Sequence, residues 1–217
     1  MNAFLNWHAL TWLGDSSLMM PMALAITAWL GWARRTRPVM WLWLLCVGTA
    51  GATVVAGKLA FMGWGLGIAA IDFTGFSGHT TLSTTLWPVA LWLAVSSFAH
   101  RWRVAAAFAG WALGMAIGYS RLALDAHSVS EVVSGFLLGL SASGVFLWRQ
   151  RSKPHPRLRL LPVLLTLVLP ALVIQPGTRA PTHELIGRIA AWMAGNERPF
   201  VRADLHAGTR PARRAAG

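Results

Sequence analysis

The stretch "GYSRLALDAHSVSEVVSG", residues 118–135, places an arginine, a histidine and a glutamate in a chain otherwise rich in Leu, Ala, Trp and Val. Arg121, His127 and Glu131 follow one another at spacings of six and four residues. Residues four apart share one face of a helix, so His127 and Glu131 can touch near the start of a helix over 128–148. An ionisable side chain inside an apolar helix is costly in a bilayer and is by default a functional candidate. The alternative is a histidine that only caps the helix or meets a lipid headgroup.

The composition around this stretch is that of an integral membrane protein. Of 217 residues, 55% are hydrophobic and 12% are charged, and several apolar runs are as long as a bilayer is thick. We expect helical spans because backbone polar groups in lipid must be satisfied within their own segment. The six predicted spans are 17–33, 39–57, 79–99, 104–120, 128–148 and 160–175. The fold class is therefore an all-α polytopic helix bundle with about six transmembrane helices.

The basic residues predict which ends of the spans are cytoplasmic. The formal net charge of +12 is concentrated in short turns rather than on one surface, so no nucleic-acid partner is expected. Alternate loops carry Arg34, Arg35 and Arg37, then Arg101 and Arg103, then Arg149, Arg151, Lys153, Arg157 and Arg159. The positive-inside rule makes these loops cytoplasmic and places 58–78 and 121–127 outside. A preference for Arg over Lys, with much Ala and Gly, indicates a bacterial inner membrane with a periplasmic site.

Two flanking segments complete the predicted domain organisation. Residues 1–16 have Trp and Leu at helical spacing and predict an interfacial segment that ends at Asp15 or Ser16. Residues 17–175 form the transmembrane domain, and 176–217 form a C-terminal amphipathic helix with a basic tail. The apolar stripe expected on that helix is Leu185, Ile186, Ile189, Ala190 and Met193. The sequence leaves the side of the tail open.

A second polar cluster is "DFTGFSGHTTLS", residues 72–83. Gly75 and Gly78 allow the backbone to approach a ligand closely. Ser77, Gly78 and His79 would form the first turn of the third span, whose unpaired N–H groups and positive dipole end favour an anion such as phosphate. The alternative is that Ser77 is an ordinary helix cap.

Lys58 adds a third element at the outer end of the second span. It is one of two lysines in the chain, and a lysine that only snorkels from a helix end is the alternative. Its side of the membrane is also that of Arg121, His79 and His127. Four potentially cationic groups, one carboxylate and a helix N-terminus suit a phosphate better than a metal.

Together these residues resemble the type 2 phosphatidic acid phosphatase (PAP2) superfamily, which includes lipid phosphate phosphatases and bacterial acid phosphatases. Its pattern is KxxxxxxRP, then PSGH, then SRxxxxxHxxxD. The matching residues here are Lys58 for the first motif, Ser77, Gly78 and His79 for the second, and Ser120, Arg121, His127 and Glu131 for the third. The resemblance implies a PAP2/haloperoxidase-like helical fold.

The chain departs from this pattern at four positions. Gly65 and Leu66 stand where the first motif has arginine and proline. Loss of the arginine should weaken phosphate binding unless a different cation supplies the charge. Phe76 replaces the proline of the second motif, and Glu131 replaces the aspartate of the third, which adds one methylene.

The resemblance also implies a mechanism that needs no metal or cofactor. His127 would attack the phosphorus of a lipid phosphate, Glu131 would hold its other ring nitrogen, and His79 would protonate the leaving group and then activate water. The groups implied to bind the phosphate are Lys58, Ser77, Gly78 and Arg121. The implied substrates are phospholipids or isoprenoid phosphates within the bilayer: undecaprenyl diphosphate, phosphatidylglycerophosphate, phosphatidic acid and lipid A phosphates.

Other readings use subsets of these residues. "GFSG", residues 75–78, resembles the serine motif of rhomboid proteases, with Ser77 as nucleophile and His127 as base. That reading gives no role to the remaining cations and the glutamate. A second possibility is a non-catalytic phospholipid-binding protein that lost its chemistry with the missing arginine. A third, metal-dependent hydrolysis, would use Asp72, His79, Asp125 and His127, beside cations that disfavour a divalent ion.

Overall fold

The computed structural model describes residues 7–151 and 182–213, and throughout these ranges the architecture is all-α. The helices are α1 (Trp7–Trp12), α2 (Ser16–Gly31), α3 (Arg37–Trp64), α4 (Gly78–Ala94), α5 (His100–Ala123), α6 (Val129–Gln150), α7 (Thr182–Ala194) and α8 (Arg202–Ala207). Two 3₁₀ turns, Arg34–Thr36 and Ala69–Ile71, lie before and after α3.

Five of the six predicted spans coincide with helices α2 to α6. The sixth, 160–175, lies outside the described residues. Within the described ranges, three segments are long and apolar enough to cross a membrane: Trp7–Gly31, Arg34–Trp64 and Val129–Gln150. The structure therefore confirms a membrane-compatible helical fold, whereas crossing by α4 and α5 stays a prediction.

The main core lies between α2, α3, α4 and α6. Trp43 and Phe146 are fully buried there and meet edge to face with ring centroids 5.5 Å apart, a favourable aromatic geometry. Met22, Ile26 and Leu93 fill the space around them. This core holds together α3, α4 and α6, whose motif residues lie at one end of the bundle.

Small residues allow α5 and α6 to pack closely on α4. A Cβ at Gly114 of α5 would lie 2.7 Å from Thr84 Oγ1, and one at Gly135 of α6 would lie 2.9 Å from the carbonyl oxygen of Ser77. Neither contact tolerates a larger side chain, so both glycines serve helix packing. The close approach of α6 to the start of α4 brings the second and third motifs together.

The C-terminal helix α7 packs on the end of α3 beside these motifs. Gly187, Ala190 and Ala191 form its buried face, whereas Leu185, Ile189 and Met193 of the predicted stripe are 52%, 40% and 51% exposed. The predicted C-terminal segment thus contains a helix, and most of its apolar stripe faces outward. The tail, whose side the sequence left open, lies at the motif end of the bundle.

Candidate active site

The turn between α5 and α6 holds the histidine and glutamate of the third motif in direct contact. His127 Nδ1 lies 2.6 Å from Glu131 Oε2. Glu131 also forms a capping box with Ser128: the Ser128 hydroxyl accepts from the Glu131 amide, and the Ser128 amide donates to the carboxylate. Glu131 therefore caps α6 and orients His127 at once, which fixes the imidazole relative to the helix axis.

Thr74 holds the other carboxylate oxygen of Glu131. Its backbone amide donates to Glu131 Oε1 at 2.9 Å, and its hydroxyl donates to the same oxygen. The amide of Ser77 donates to the Glu131 carbonyl at 3.1 Å. These bonds join the second and third motifs, and the fully buried Glu131 side chain has its charge satisfied by several donors.

A cavity of about 350 Å³ opens beside His127. Its lining includes three cationic side chains, Lys58, Arg121 and Arg202, and the imidazoles of His127 and His183. Arg121 is additionally held by Thr11 of α1, to whose hydroxyl its Nη1 donates at 2.9 Å. A cavity with this charge favours an anionic ligand.

The N-terminus of α4 borders this cationic cluster. Lys58 Nζ lies 3.8 Å from the position that a Cβ on Gly78 would take, so the lysine and the first turn of α4 are neighbours. Ser77 precedes the helix, but its side chain makes no capping bond; its hydroxyl instead accepts from Thr80 at 2.8 Å. Ser77 and Gly78 do not line the cavity themselves. Their backbone forms the helix end beside it.

His79 is held by a carboxylate from a distant part of the chain. Its Nε2 lies 3.3 Å from Oδ2 of Asp15, the N-cap residue of α2. His79 is at the same end of the bundle as His127, within electrostatic range of both His127 and Arg121, but it does not line the cavity. The two motif histidines therefore each have a carboxylate partner, one four residues along the chain and one across the bundle.

The surroundings of His127 favour its neutral form. Burial lowers the pKa of His127, and the nearby charges of Arg121 and Lys58 lower it further, whereas Glu131 opposes the shift. His183, on α7, has its pKa lowered by burial and by the charges of Lys58 and His127. A neutral imidazole at position 127 is the form that can act as a nucleophile.

Four contributors to the site were missed by sequence reasoning: Asp15, Thr74, His183 and Arg202. Asp15 was expected only to break the helix before the first span, a capping role that it also fills. Thr74 lies within the quoted stretch 72–83 but carries no distinctive spacing. His183 and Arg202 lie in the C-terminal segment, more than fifty residues beyond the third motif, where no local sequence pattern indicates a contact with the site.

Comparison with known proteins now assigns the family. A sequence model of the PAP2 superfamily matches residues 60–156. The chain belongs to the PAP2 superfamily. It is also 42% identical over 205 residues, 93% of this chain and 98% of the relative, to an uncharacterized 22.5 kDa protein in the cps region of Klebsiella pneumoniae. No solved structure is significantly similar to this chain. PAP2 membership supports an enzyme of the phosphatase type.

The PAP2 assignment and the contacts above disfavour two alternatives. Ser77 is fully buried and its hydroxyl bonds to Thr80, while His127 bonds to Glu131, so the pairing that a rhomboid-like protease needs is not the one formed. Asp72, a ligand in the metal-dependent reading, is instead paired with Arg202 and His206. Within residues 7–151 and 182–213, no group of three or more His, Cys, Asp or Glu side chains is arranged to hold a metal ion.

Proposed function

We propose that this PAP2 protein is a membrane phosphatase that hydrolyses a lipid phosphate or diphosphate through a phosphohistidine on His127. The observation that carries the proposal is the His127–Glu131 pair at 2.6 Å, set at the edge of a cavity lined by cations. Because Nδ1 is engaged by the carboxylate, Nε2 is the nitrogen available for attack. The pairing fixes both the tautomer and the direction of the lone pair.

The reaction divides into two displacements at phosphorus. In the first, His127 Nε2 forms a bond to phosphorus as the bond to the leaving oxygen breaks, and that oxygen takes a proton from His79. In the second, His79 accepts a proton from water, whose oxygen displaces the imidazole and releases phosphate. The Asp15 carboxylate would hold His79 for both transfers.

Charge on the transferring group is stabilised by the protein itself in this scheme. Lys58, Arg121 and the N–H groups in the first turn of α4 from Gly78 onward would contact the phosphate oxygens. The Ser77 amide just before this turn donates to the Glu131 carbonyl and holds the helix end in place. Electrostatic stabilisation of this kind is the main contribution expected in phosphoryl transfer. We accordingly propose a reaction that requires neither a metal ion nor another cofactor.

The proposed substrates are amphiphiles that enter from the outer leaflet of a bacterial inner membrane. Next to the cavity, α7 exposes an apolar face of Leu185, Ile189, Trp192 and Met193, with Trp192 70% exposed. A tryptophan-bearing apolar face suits the headgroup boundary of a bilayer. A phosphate at headgroup depth could then reach His127 while its acyl or isoprenoid chain stays in lipid.

The experiment is phosphate release by detergent-solubilised protein, without added metal and with a chelator present. The panel contains undecaprenyl diphosphate, phosphatidylglycerophosphate, phosphatidic acid and a lipid A phosphate. We expect turnover of at least one substrate and none by His127→Ala. Binding of these lipids without any phosphate release would instead identify a non-catalytic lipid-binding protein. Turnover that survives the loss of His127 would refute the nucleophile.

A further inference from the structure

The segment from Asn196 to His206, here called the C-terminal clamp, is attached to the end of α3 by hydrogen bonds to backbone carbonyl groups. The Asn196 side-chain amide donates to the carbonyl of Gly63 at 2.8 Å, and the Phe200 amide donates to the carbonyl of Met62 at 2.8 Å. Asn196 is buried. The clamp is thus fixed to the last turn of α3, about one turn beyond Lys58.

Within the clamp, Phe200 occupies the space beside the position where the first PAP2 motif departs from its pattern. Gly65 ends α3 in the left-handed region with φ of 70°. A Cβ there would lie 2.8 Å from Cε1 of Phe200. An arginine at position 65 would therefore be strained in its backbone and would collide with the Phe200 ring. In this arrangement the Phe200 ring occupies the space that a side chain at position 65 would need.

Two residues after Phe200, the clamp places a guanidinium in the site. Arg202 Nη2 donates to Glu131 Oε2 at 2.8 Å, and Nη1 donates to the Asp72 carbonyl at 3.0 Å and to the Asp72 carboxylate. The Arg202 side chain lines the cavity together with Lys58 and Arg121. It is 35% exposed, so a ligand in the cavity can reach it.

We propose that Arg202 binds the substrate phosphate and supplies, from the C-terminal clamp, the positive charge that the first motif lacks. This inference rests on the proposed phosphatase function. A guanidinium has five N–H donors, and three are used by the described residues Asp72 and Glu131. Two remain for phosphate oxygens, which a planar guanidinium binds in paired geometry.

Contacts within the clamp, and from the clamp to Asp72, hold Arg202 in position. Arg198 forms two bonds to the carboxylate of Asp204, at 2.6 and 2.7 Å, and the Val201 amide donates to the same carboxylate at 2.9 Å. His206 Nε2 lies 2.7 Å from Asp72 Oδ1. These contacts flank Arg202 on both sides in sequence and fix the loop from which it reaches the cavity.

The test compares Arg202→Ala and Arg202→Lys with Arg210→Ala, which removes the same charge from an exposed position of the tail outside the cavity lining. The probe is orthovanadate, an analogue of the transferring phosphate, measured by direct binding and by inhibition of lipid-phosphate hydrolysis. We expect Arg202→Ala to weaken vanadate binding by about 10-fold to 100-fold, the range for one charged hydrogen-bonding group. Arg202→Lys should lose less, and Arg210→Ala should match the unmodified protein.

Millimolar guanidinium should partly restore vanadate binding to Arg202→Ala and leave Arg210→Ala unchanged. Unaltered vanadate affinity in a folded Arg202→Ala protein, with or without a fall in kcat, would overturn the proposal, because Arg202 would then act only through Glu131. If Arg202→Ala does not fold, Arg202→Lys decides by the same measurement. An unmodified protein that binds vanadate but releases no phosphate would refute the phosphatase function while leaving the role of Arg202 in anion binding testable and distinct.

Discussion

The site contains two histidine–carboxylate pairs that differ in how they are built. His127 immediately precedes the N-cap of α6 and Glu131 lies in the first turn of that helix; they are 2.6 Å apart, with the glutamate side chain fully buried. His79 and Asp15 come from different helices and lie 3.3 Å apart, with side-chain exposures of 25% and 14%. The first pair is short and local, and its carboxylate is excluded from solvent while His127 is 18% exposed. The second pair is longer, is assembled across the bundle and has a partly exposed carboxylate.

This difference agrees with the two proposed roles. A nucleophile must present one nitrogen along a fixed line to phosphorus, so a rigid local pair serves it well. An acid–base group must exchange its proton with a leaving group and then with water, which a more exposed imidazole can do. Variants that remove, weaken or retune one pair relative to the other therefore test this assignment of roles.

The largest expected effect separates the two histidines. Replacing His127 by Ala removes the nucleophile and should reduce turnover by about 10⁴-fold or more, with no phosphoenzyme formed. Replacing His79 by Ala should cost about 10²-fold to 10⁴-fold, the usual contribution of a positioned acid or base. Acid-quench trapping of labelled phosphoprotein and steady-state kinetics measure both.

The control for these variants is His100→Ala, which alters an exposed histidine at the opposite end of α5 from Arg121. It should leave kcat and KM unchanged. Equal losses in His79→Ala and His127→Ala, with phosphoprotein formed only in the latter, would exchange the roles assigned to the two pairs.

The next effect compares the carboxylates. Glu131→Gln and Asp15→Asn keep shape but remove charge, and a charged hydrogen bond contributes about 1.5 to 3 kcal/mol. We expect Glu131→Gln to reduce kcat by about 100-fold and Asp15→Asn by about 10-fold, because the buried, shorter pair depends more on its charge. A greater loss in Asp15→Asn would show that the pair assembled across the bundle is the more demanding one.

The pH dependence sharpens the same contrast. Because His127 must be neutral to attack, and because burial with Arg121 and Lys58 lowers its pKa, kcat/KM should persist below the pH at which an ordinary histidine protonates and then fall. Glu131 raises the pKa of His127. Removing its charge in Glu131→Gln should therefore move this acidic limb to lower pH while the plateau rate drops. An upward displacement of the limb in pH–rate profiles would contradict the pairing.

The same contrast explains what the sequence could reveal of the site. His127 and Glu131 are four residues apart, so helical spacing predicted their contact, although His127 lies just before the N-cap Ser128 and Glu131 lies in the first turn of α6. The apolar runs predicted α2 to α6. Asp15 meets His79, and Arg202 meets Glu131, only after helices pack, so no local spacing encodes these contacts. The stripe of α7 shows the same limit: apolar periodicity marks a face but does not say whether protein or lipid covers it.

The smallest expected effect tests whether the ion pair between Arg198 and Asp204 within the clamp contributes to activity. Arg198 holds the pKa of Asp204 well below its usual range, and the carboxylate also accepts from the Val201 amide. Asp204→Asn weakens the contact with Arg198 while keeping Arg202 itself. Phosphatase activity should therefore fall by less than about 10-fold, because Arg198 is 51% exposed and an ion pair with an exposed partner contributes little. Amide exchange across 196–206 should become faster, while exchange in α4 and α6 stays unchanged. Faster exchange without any loss of activity would show that the position of Arg202 does not depend on the Asp204 contacts. Loss of protection throughout the bundle would show that the clamp stabilises the whole fold rather than the site alone.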